Sequence, residues 1–225
     1  MIPPLIVQTA LELGVNLIAI SDHNASDNVA SVIKAAEGYD LTVLPGMELQ
    51  TREDVHALCL FDTLEQLIAL QNLVDQNLPE IDNDIEYFGE QFIVDQHGGF
   101  IRRKKQLLIT ATRLSFDDAF RAVDKLGGLF IPAHVNRQTF GLIYHLGFVP
   151  PDLPLVALEI SRHITPESAI QEFPQIKGFP LIQSGDVHYL DDFLGVNQFL
   201  IKSPTLSEII MALKGENGRK FSLKD

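Results

Sequence analysis

The sequence holds one cysteine, Cys59, which excludes an intramolecular disulfide framework. It lies inside HALCLF (56–61), where it reads as a small buried apolar residue rather than a nucleophile. Basic residues are scarce: 17 Lys and Arg stand against 30 Asp and Glu, a formal net charge of −13. That balance argues against the broad phosphate-tracking surface duplex nucleic acid needs. It leaves room for a small anionic substrate, because divalent cations reverse the potential of a site whatever the global sign. The only basic run, Arg102-Arg103-Lys104-Lys105, reads as a solvated edge beside a hairpin. No apolar run approaches the roughly 20 residues of a membrane span, so no membrane partner is expected. MIPPLIVQTALELG at the N-terminus has neither a basic n-region nor a small-residue cleavage site. The expected compartment is cytoplasmic. Repeats, low-complexity tracts and interdomain linkers are also missing.

What is present is an alternation of strand-like and helix-like stretches. With 225 residues, 46% apolar and 21% charged, the simplest organisation is one domain over 1–225 with a substantial core. Residues 4–13 repeat apolar positions at helical spacing and stop at Gly14. LIAIS (17–21) is a short buried strand, 28–37 a helix, LTVLPGMEL (41–49) a strand that VHALCLF (55–61) can pair with. Thr63 and Gln66 form a capping box. Helices follow Ser115 and Pro204-Thr205 and lie near 138–147 and 166–173; strands lie at 129–133, 155–161, 180–184 and 196–201. Residues 78–105 break the rhythm with FIVD-QHGG-FIRR, a hairpin about a Gly-Gly turn. An insertion of this length is expected to form a lid or rim.

Several of these strands end in a metal-type ligand. LIAISDHN, TVLPGMEL with VHALCLF, LFIPAHVNR and PLIQSGDVH deliver Asp22, His23, Glu48, His56, His134, Asp186 and His188. Alternating strand and helix implies a mostly parallel sheet. An open sheet gathers function at one switch point, whereas a barrel collects it from many strands. Nearly every strand from 17 to 188 carries a candidate, which favours the barrel. Asp186 and His188, at i and i+2, would face one side of a strand. Imidazole and carboxylate at one centre suit Zn²⁺, Mn²⁺ or Fe²⁺. Two or three such ions would generate a hydroxide and clamp a displaced phosphate ester. Glu48, after Gly46, is the candidate bridge. Arg137 and Arg162, just past strand ends, would hold a substrate phosphate. Arg113 is a weaker candidate, and His97, His145 and His163 read as surface residues.

SDHN, PGMEL with HALCLF, PAHVNR, LEISR and SGDVHYL together resemble, in order, the motifs of the PHP (polymerase and histidinol phosphatase) superfamily of metal-dependent phosphoesterases. The resemblance runs over nearly the whole chain. It implies an α/β fold, a distorted (β/α)7 TIM-like barrel with up to three divalent ions at its rim. It also implies metal ligands: Glu48, His56 and His134 for one ion, Asp186 with Glu48 for a second, His23 and His188 for a third, with Asp22 in support. Glu48, Asp186 and His188 are the expected catalytic residues. The expected reaction is hydrolysis of small phosphomonoesters or nucleotides by a metal-activated hydroxide, with polymeric nucleic acid less favoured as a partner.

The resemblance departs at one place. The family opens on a strand carrying His-x-His, and that pattern occurs nowhere in this chain. The first strand is thus expected to be missing, either because the sequence starts at an internal Met of a longer protein or because the protein is an impaired hydrolase. The alternative function is a catalytically inactive metal-binding or regulatory module of PHP-like fold. An amidohydrolase on a related barrel is disfavoured, since no lysine stands behind a strand where that family carboxylates one. A missing strand would leave an apolar slot for a second copy, so a homo-oligomer is expected.

Overall fold

The computed structural model describes residues 1–224. Helix α1 (Pro3–Glu12) has prolines in its first turn, where a missing N–H costs nothing, and stops before Gly14 at φ +68°. Strand β1 (Leu17–Ile20) and helix α2 (Val29–Ala35) lead to the long β2 (Thr42–Gln50) and then β3 (His56–Leu60). Helix α3 (Leu64–Asn77) starts with the expected capping box: Thr63 Oγ1 accepts the Gln66 N–H, and the Gln66 side chain accepts the Thr63 N–H. A short α4 (Ile85–Phe88) and the hairpin β4 (Phe92–Val94) and β5 (Phe100–Arg103) occupy the inserted segment. Next come α5 (Phe116–Lys125), β6 (Leu129–Pro132), α6 (Leu142–Leu146), β7 (Leu158–Glu159), α7 (Pro166–Glu172) and β8 (Leu181–Ile182). The described chain closes with β9 (Asn197–Leu200), α8 (Leu206–Lys214) and β10 (Lys220–Leu223).

The main sheet has the order β1-β2-β3-β6. Here the expectation of a mostly parallel sheet needs correction. β1 is parallel to β2, but β3 runs antiparallel to both of its neighbours. The link between β2 and β3 is only a few residues long, which suits a hairpin and not a crossover. The reversal matters for the site, because it brings the start of β3 to the same rim as the end of β2. A hydrogen bond from the Val135 N–H to the Glu159 carbonyl (2.8 Å) ties the end of β6 to β7, and β7 pairs parallel with β8. The strands expected over 155–161 and 180–184 are each two residues long. β10 pairs antiparallel with β9 and has no counterpart in the sequence reading.

Alternation along β2 separates two surfaces. Met47 and Leu49 point into a large apolar cluster with Phe61, Leu67, Leu70, Phe116 and Val123. On the other face, Leu44 packs with Leu60, Leu129, Ile131 and Ile182. Glu48 continues that second face upward, since β2 and β3 pair Gly46 with Leu60, Glu48 with Leu58 and Gln50 with His56. This face is therefore apolar below and polar at the rim. Gly46 is needed here because a Cβ would lie 2.8 Å from the Ile20 carbonyl oxygen of β1.

The hairpin β4–β5 packs against α2 and the loop before it. The Asn28 side chain donates to the Phe92 carbonyl (3.1 Å) and accepts the Val94 N–H (3.0 Å), and Ser31 Oγ donates to the Val94 carbonyl (2.7 Å). Three residues of the basic run are ion-paired: Arg102 with Asp27, Arg103 with Glu90 at 3.0 Å, Lys104 with Asp27 at 3.3 Å.

Candidate metal centre

Glu48 is the hub of the rim. It is 6% exposed, and three imidazoles surround its carboxylate. Oε1 lies 3.2 Å from His56 Nδ1 and 3.3 Å from His134 Nε2, and Oε2 lies 3.4 Å from His23 Nδ1. Burial opposes ionisation of Glu48, yet the hydrogen bonds from His134 and His56 outweigh it and hold the carboxyl far below the usual range. Burial also lowers the pKa of His23, against the opposing pull of Glu48, so its ring is biased to the neutral form a metal ligand requires.

Each of these side chains arrives by a different backbone device. His23 sits beyond the end of β1, bridged in parallel to Glu48: the Glu48 N–H donates to the Asp22 carbonyl (3.1 Å) and the Asn24 N–H to the Glu48 carbonyl (2.9 Å). Asn24, fully buried at φ +48°, fixes that loop. Its side chain accepts the Gln50 N–H (3.0 Å) and donates to the Leu108 and Thr110 carbonyls (2.8 and 2.9 Å). His56 reaches the rim because β3 is antiparallel. His134 depends on a broken alternation. Its neighbour Ala133 lies opposite His56, and strict alternation would aim His134 at the opposite face. The left-handed backbone at His134, φ +31°, turns the imidazole back to Glu48.

Glu159 supports that turn, and the sequence reading did not select it. Its carboxylate is 2% exposed. Oε2 accepts the His134 N–H (3.0 Å), and Oε1 accepts the Ser184 N–H (3.2 Å). One side chain thus clips together the two turns that carry His134 and Asp186. Burial raises its pKa to about 7, against the opposing influence of His134. The available signal was the pattern itself: LVALE ends an apolar run in a carboxylate, as the selected segments do.

Asp186 and His188 do not share a strand face as expected. β8 ends at Ile182, and the residues beyond it form an irregular turn with Gly185 at φ +95° and Asp186 at φ +50°. His188 Nδ1 lies 2.9 Å from the Asp186 carbonyl and 3.4 Å from Oδ1. The His188 ring stands 5.8 Å from the His23 ring, centroid to centroid, so the pair borders the Glu48 cluster. Asp22 is exposed and lies 3.5 Å from the Asn28 side chain.

Arg137 and Arg162 line one cavity of about 260 Å³, together with His134, Glu159, Ser161 and Asp186. Arg137 is paired with Asp186 through Nη1. Arg162 spends both terminal nitrogens on Asp192, one on its carboxylate and one on its carbonyl (2.9 Å).

A divalent ion fits these residues. Ligand atoms of His23, Glu48 and His56 lie within 4.8 Å of one another. His23 Nδ1, His56 Nε2 and His134 Nδ1 are buried without a hydrogen-bond partner, an unusual state for a polar atom and the one expected of atoms held for a metal. Imidazole and carboxylate together suit Zn²⁺, Mn²⁺ and Fe²⁺ alike.

No protein-family description matches the sequence, and no curated protein is similar to it by sequence. Solved structures are similar in fold. The lesion-specific endonuclease PfuEndoQ of Pyrococcus furiosus superposes with a TM-score of 0.71 at 20% identity, over 98% of this chain and 53% of that one. Endonuclease Q bound to a 27-mer duplex with an abasic lesion at its active site gives 0.66 at 19% identity, over 98% and 53%. A protein of Bifidobacterium adolescentis assigned as a metal-dependent phosphoesterase gives 0.55 at 18% identity, over 84% and 82%. The chain therefore spans about half the length of the endonuclease structures it matches. At these identities the likeness establishes a shared α/β fold.

Proposed function

We propose that the chain is a metal-dependent phosphoric ester hydrolase of PHP type, built on a distorted barrel. The observation that carries this reading is one buried carboxylate, that of Glu48, encircled by His23, His56 and His134, each of which has a ring nitrogen without a hydrogen-bond partner. The run β1-β2-β3-β6, extended through Val135 and Glu159 to β7 and β8, supports the barrel.

Glu48 stays anionic and orients the imidazoles around it. His23, Glu48, His56 and His134 would hold divalent Mn, Zn or Fe, with Asp186 and His188 completing the rim. Ions held there would supply a water-derived nucleophile at neutral pH and would neutralise charge on the phosphate. Asp186 is oriented by Arg137 and in turn contacts His188, whose half-exposed ring is placed to carry a proton to or from the leaving group. Arg137 uses one terminal nitrogen on Asp186 and keeps donors for a phosphate in the adjoining cavity. Arg162, doubly bonded to Asp192, would have to release it first, which supports Arg137 as the phosphate contact.

Small phosphomonoesters or nucleotides are the proposed substrates, because the chain is acidic and three of the four residues of its basic run are already ion-paired. A phosphodiester of DNA is the second reading, favoured by the fold shared with an endonuclease bound to an abasic duplex. The test is hydrolysis of p-nitrophenyl phosphate and of bis(p-nitrophenyl) phosphate by the chain with Mn²⁺. Monoester turnover that EDTA and Glu48→Gln abolish supports the first reading, and diester turnover alone supports the second. Metal binding with neither turnover points instead to a non-catalytic module.

A further inference from the structure

Phe140 sits at φ +62°, a conformation that costs a bulky side chain energy and is kept where the surroundings enforce it. The same residue meets His56 twice. Its ring stacks on the His56 imidazole at 4.2 Å between centroids and 4° between planes. Its carbonyl oxygen accepts the His56 backbone N–H at 3.0 Å. His56 in turn places Nδ1 3.2 Å from Glu48 Oε1. On the other side, the Phe140 N–H donates to Nε2 of His145 at 3.2 Å. Gly141 follows, where a Cβ would lie 2.1 Å from the Arg137 carbonyl oxygen, so only glycine fits the turn beside Phe140.

We propose that Phe140 is a positioning residue for the ligand His56, and that His145 is the latch that keeps Phe140 in its left-handed conformation. This rests on the reading of His56 as a metal ligand. The stacked ring fixes the plane of the imidazole, and the carbonyl fixes the start of β3 relative to the turn that carries His134 and Arg137. His56 is 3% exposed, and a flat aromatic wall sets which way its free Nε2 faces. His145 works through an unprotonated ring nitrogen, the one acceptor the imidazole offers. Strain at Phe140 is thus tied to the orientation of a ligand it touches, and His145 acts on that ligand from two contacts away. Partners that orient a ligand in this manner typically contribute roughly 10- to 100-fold to metal affinity.

Three variants test this: His145→Ala, His145→Gln, whose amide oxygen can replace Nε2 as acceptor, and Phe140→Gly, which accepts the positive φ without strain but lacks the ring. The first readout is the His56 Cε1–H resonance in metal-free protein, identified by its loss in His56→Gln. The second is Co²⁺ affinity and the visible spectrum of the Co²⁺ form. In the parent, the stacked phenyl should shift the His56 resonance upfield. His145→Ala and Phe140→Gly should lose that shift and weaken Co²⁺ binding by roughly 10-fold or more, whereas His145→Gln should retain both. An unshifted His56 resonance in the parent overturns the proposal. So does His145→Ala matching the parent, or His145→Gln falling as far as His145→Ala. If the parent binds no Co²⁺, the hydrolase reading fails, while the resonance still decides whether Phe140 positions His56.

Discussion

The carboxylate of Glu159 accepts the backbone N–H of His134 at 3.0 Å, from a position 2% exposed to solvent. A buried acid that serves backbone donors holds a turn in place without entering the chemistry. The left-handed His134 is the residue it stabilises, and the Ser184 N–H on its other oxygen extends the same support to the turn of Asp186.

Glu159 also gives the metal-free protein a pH dependence. Its pKa rises from 4.5 to about 7, chiefly through burial. A carboxyl with a raised folded pKa favours the folded state below its unfolded value, and that contribution is lost as pH rises through about 7. Up to about 3 kcal/mol is at stake at 1.36 kcal/mol per unit. Glu159→Gln resembles the protonated acid and should not lose it. In EDTA, the melting temperature of Glu159→Gln relative to the parent should rise between pH 5 and pH 8; a constant difference would show that Glu159 is ionised throughout.

Much of this centre is legible in the sequence, and the reasons are physical. His23, Glu48, His56 and His134 each adjoin an apolar run, and buried strands that end in such residues need a purpose for them. Glu159 follows the same pattern, but a sequence does not distinguish a carboxylate that binds metal from one that accepts backbone N–H groups. The direction of β3 is not written in its composition, and only its antiparallel pairing with β2 shows why His56, at the start of β3, meets Glu48 near the end of β2. Phe140 and His145 are invisible for a stronger reason: their partnership depends on a positive φ at a phenylalanine, which no residue pattern announces. β10 escapes because KFSL alternates in polarity over only four residues.

Arg137 and Arg162 should separate on substitution. Loss of a charged hydrogen bond to phosphate costs about 1.5–3 kcal/mol, so Arg137→Gln should raise KM for a phosphomonoester by roughly 10- to 100-fold. Arg162→Gln should change KM little and instead lower thermal stability, because its bonds go to Asp192. Steady-state kinetics on both variants give the comparison, and equal KM effects would return Arg162 to the phosphate site.

Glu208 on α8 predicts an acid limit remote from Glu48. Arg219 bonds it at 2.6 and 2.8 Å and the Lys202 N–H at 2.9 Å. Arg219 first, then the Lys202 N–H, lower its pKa from 4.5 to about 2. A lowered pKa favours the folded state above the unfolded value, and the contribution is lost as pH falls from about 4.5 toward 2. Glu208→Gln should therefore melt below the parent at pH 7, with the gap closing toward pH 3. A gap that stays constant with pH would assign the loss to packing.

Cys59 should be chemically silent in the folded protein. It is fully buried in β3, and burial pushes its thiol far above the ordinary range, so the thiolate that reacts is not formed. A thiol reagent such as DTNB should titrate none of it in the native state and all of it in denaturant. Rapid native labelling would indicate that β3 opens locally.

The most direct measurement is a calorimetric titration of Mn²⁺ into the metal-free parent and into Glu48→Gln. Among the described residues, Glu48 is the one carboxylate that contacts His23, His56 and His134 together. Saturable binding by the parent is expected, weakened by roughly 100-fold or more in Glu48→Gln, at least the loss seen when outer partners of a ligand are removed. Equal affinity in the two proteins, or no binding by the parent, would contradict a metal centre at Glu48.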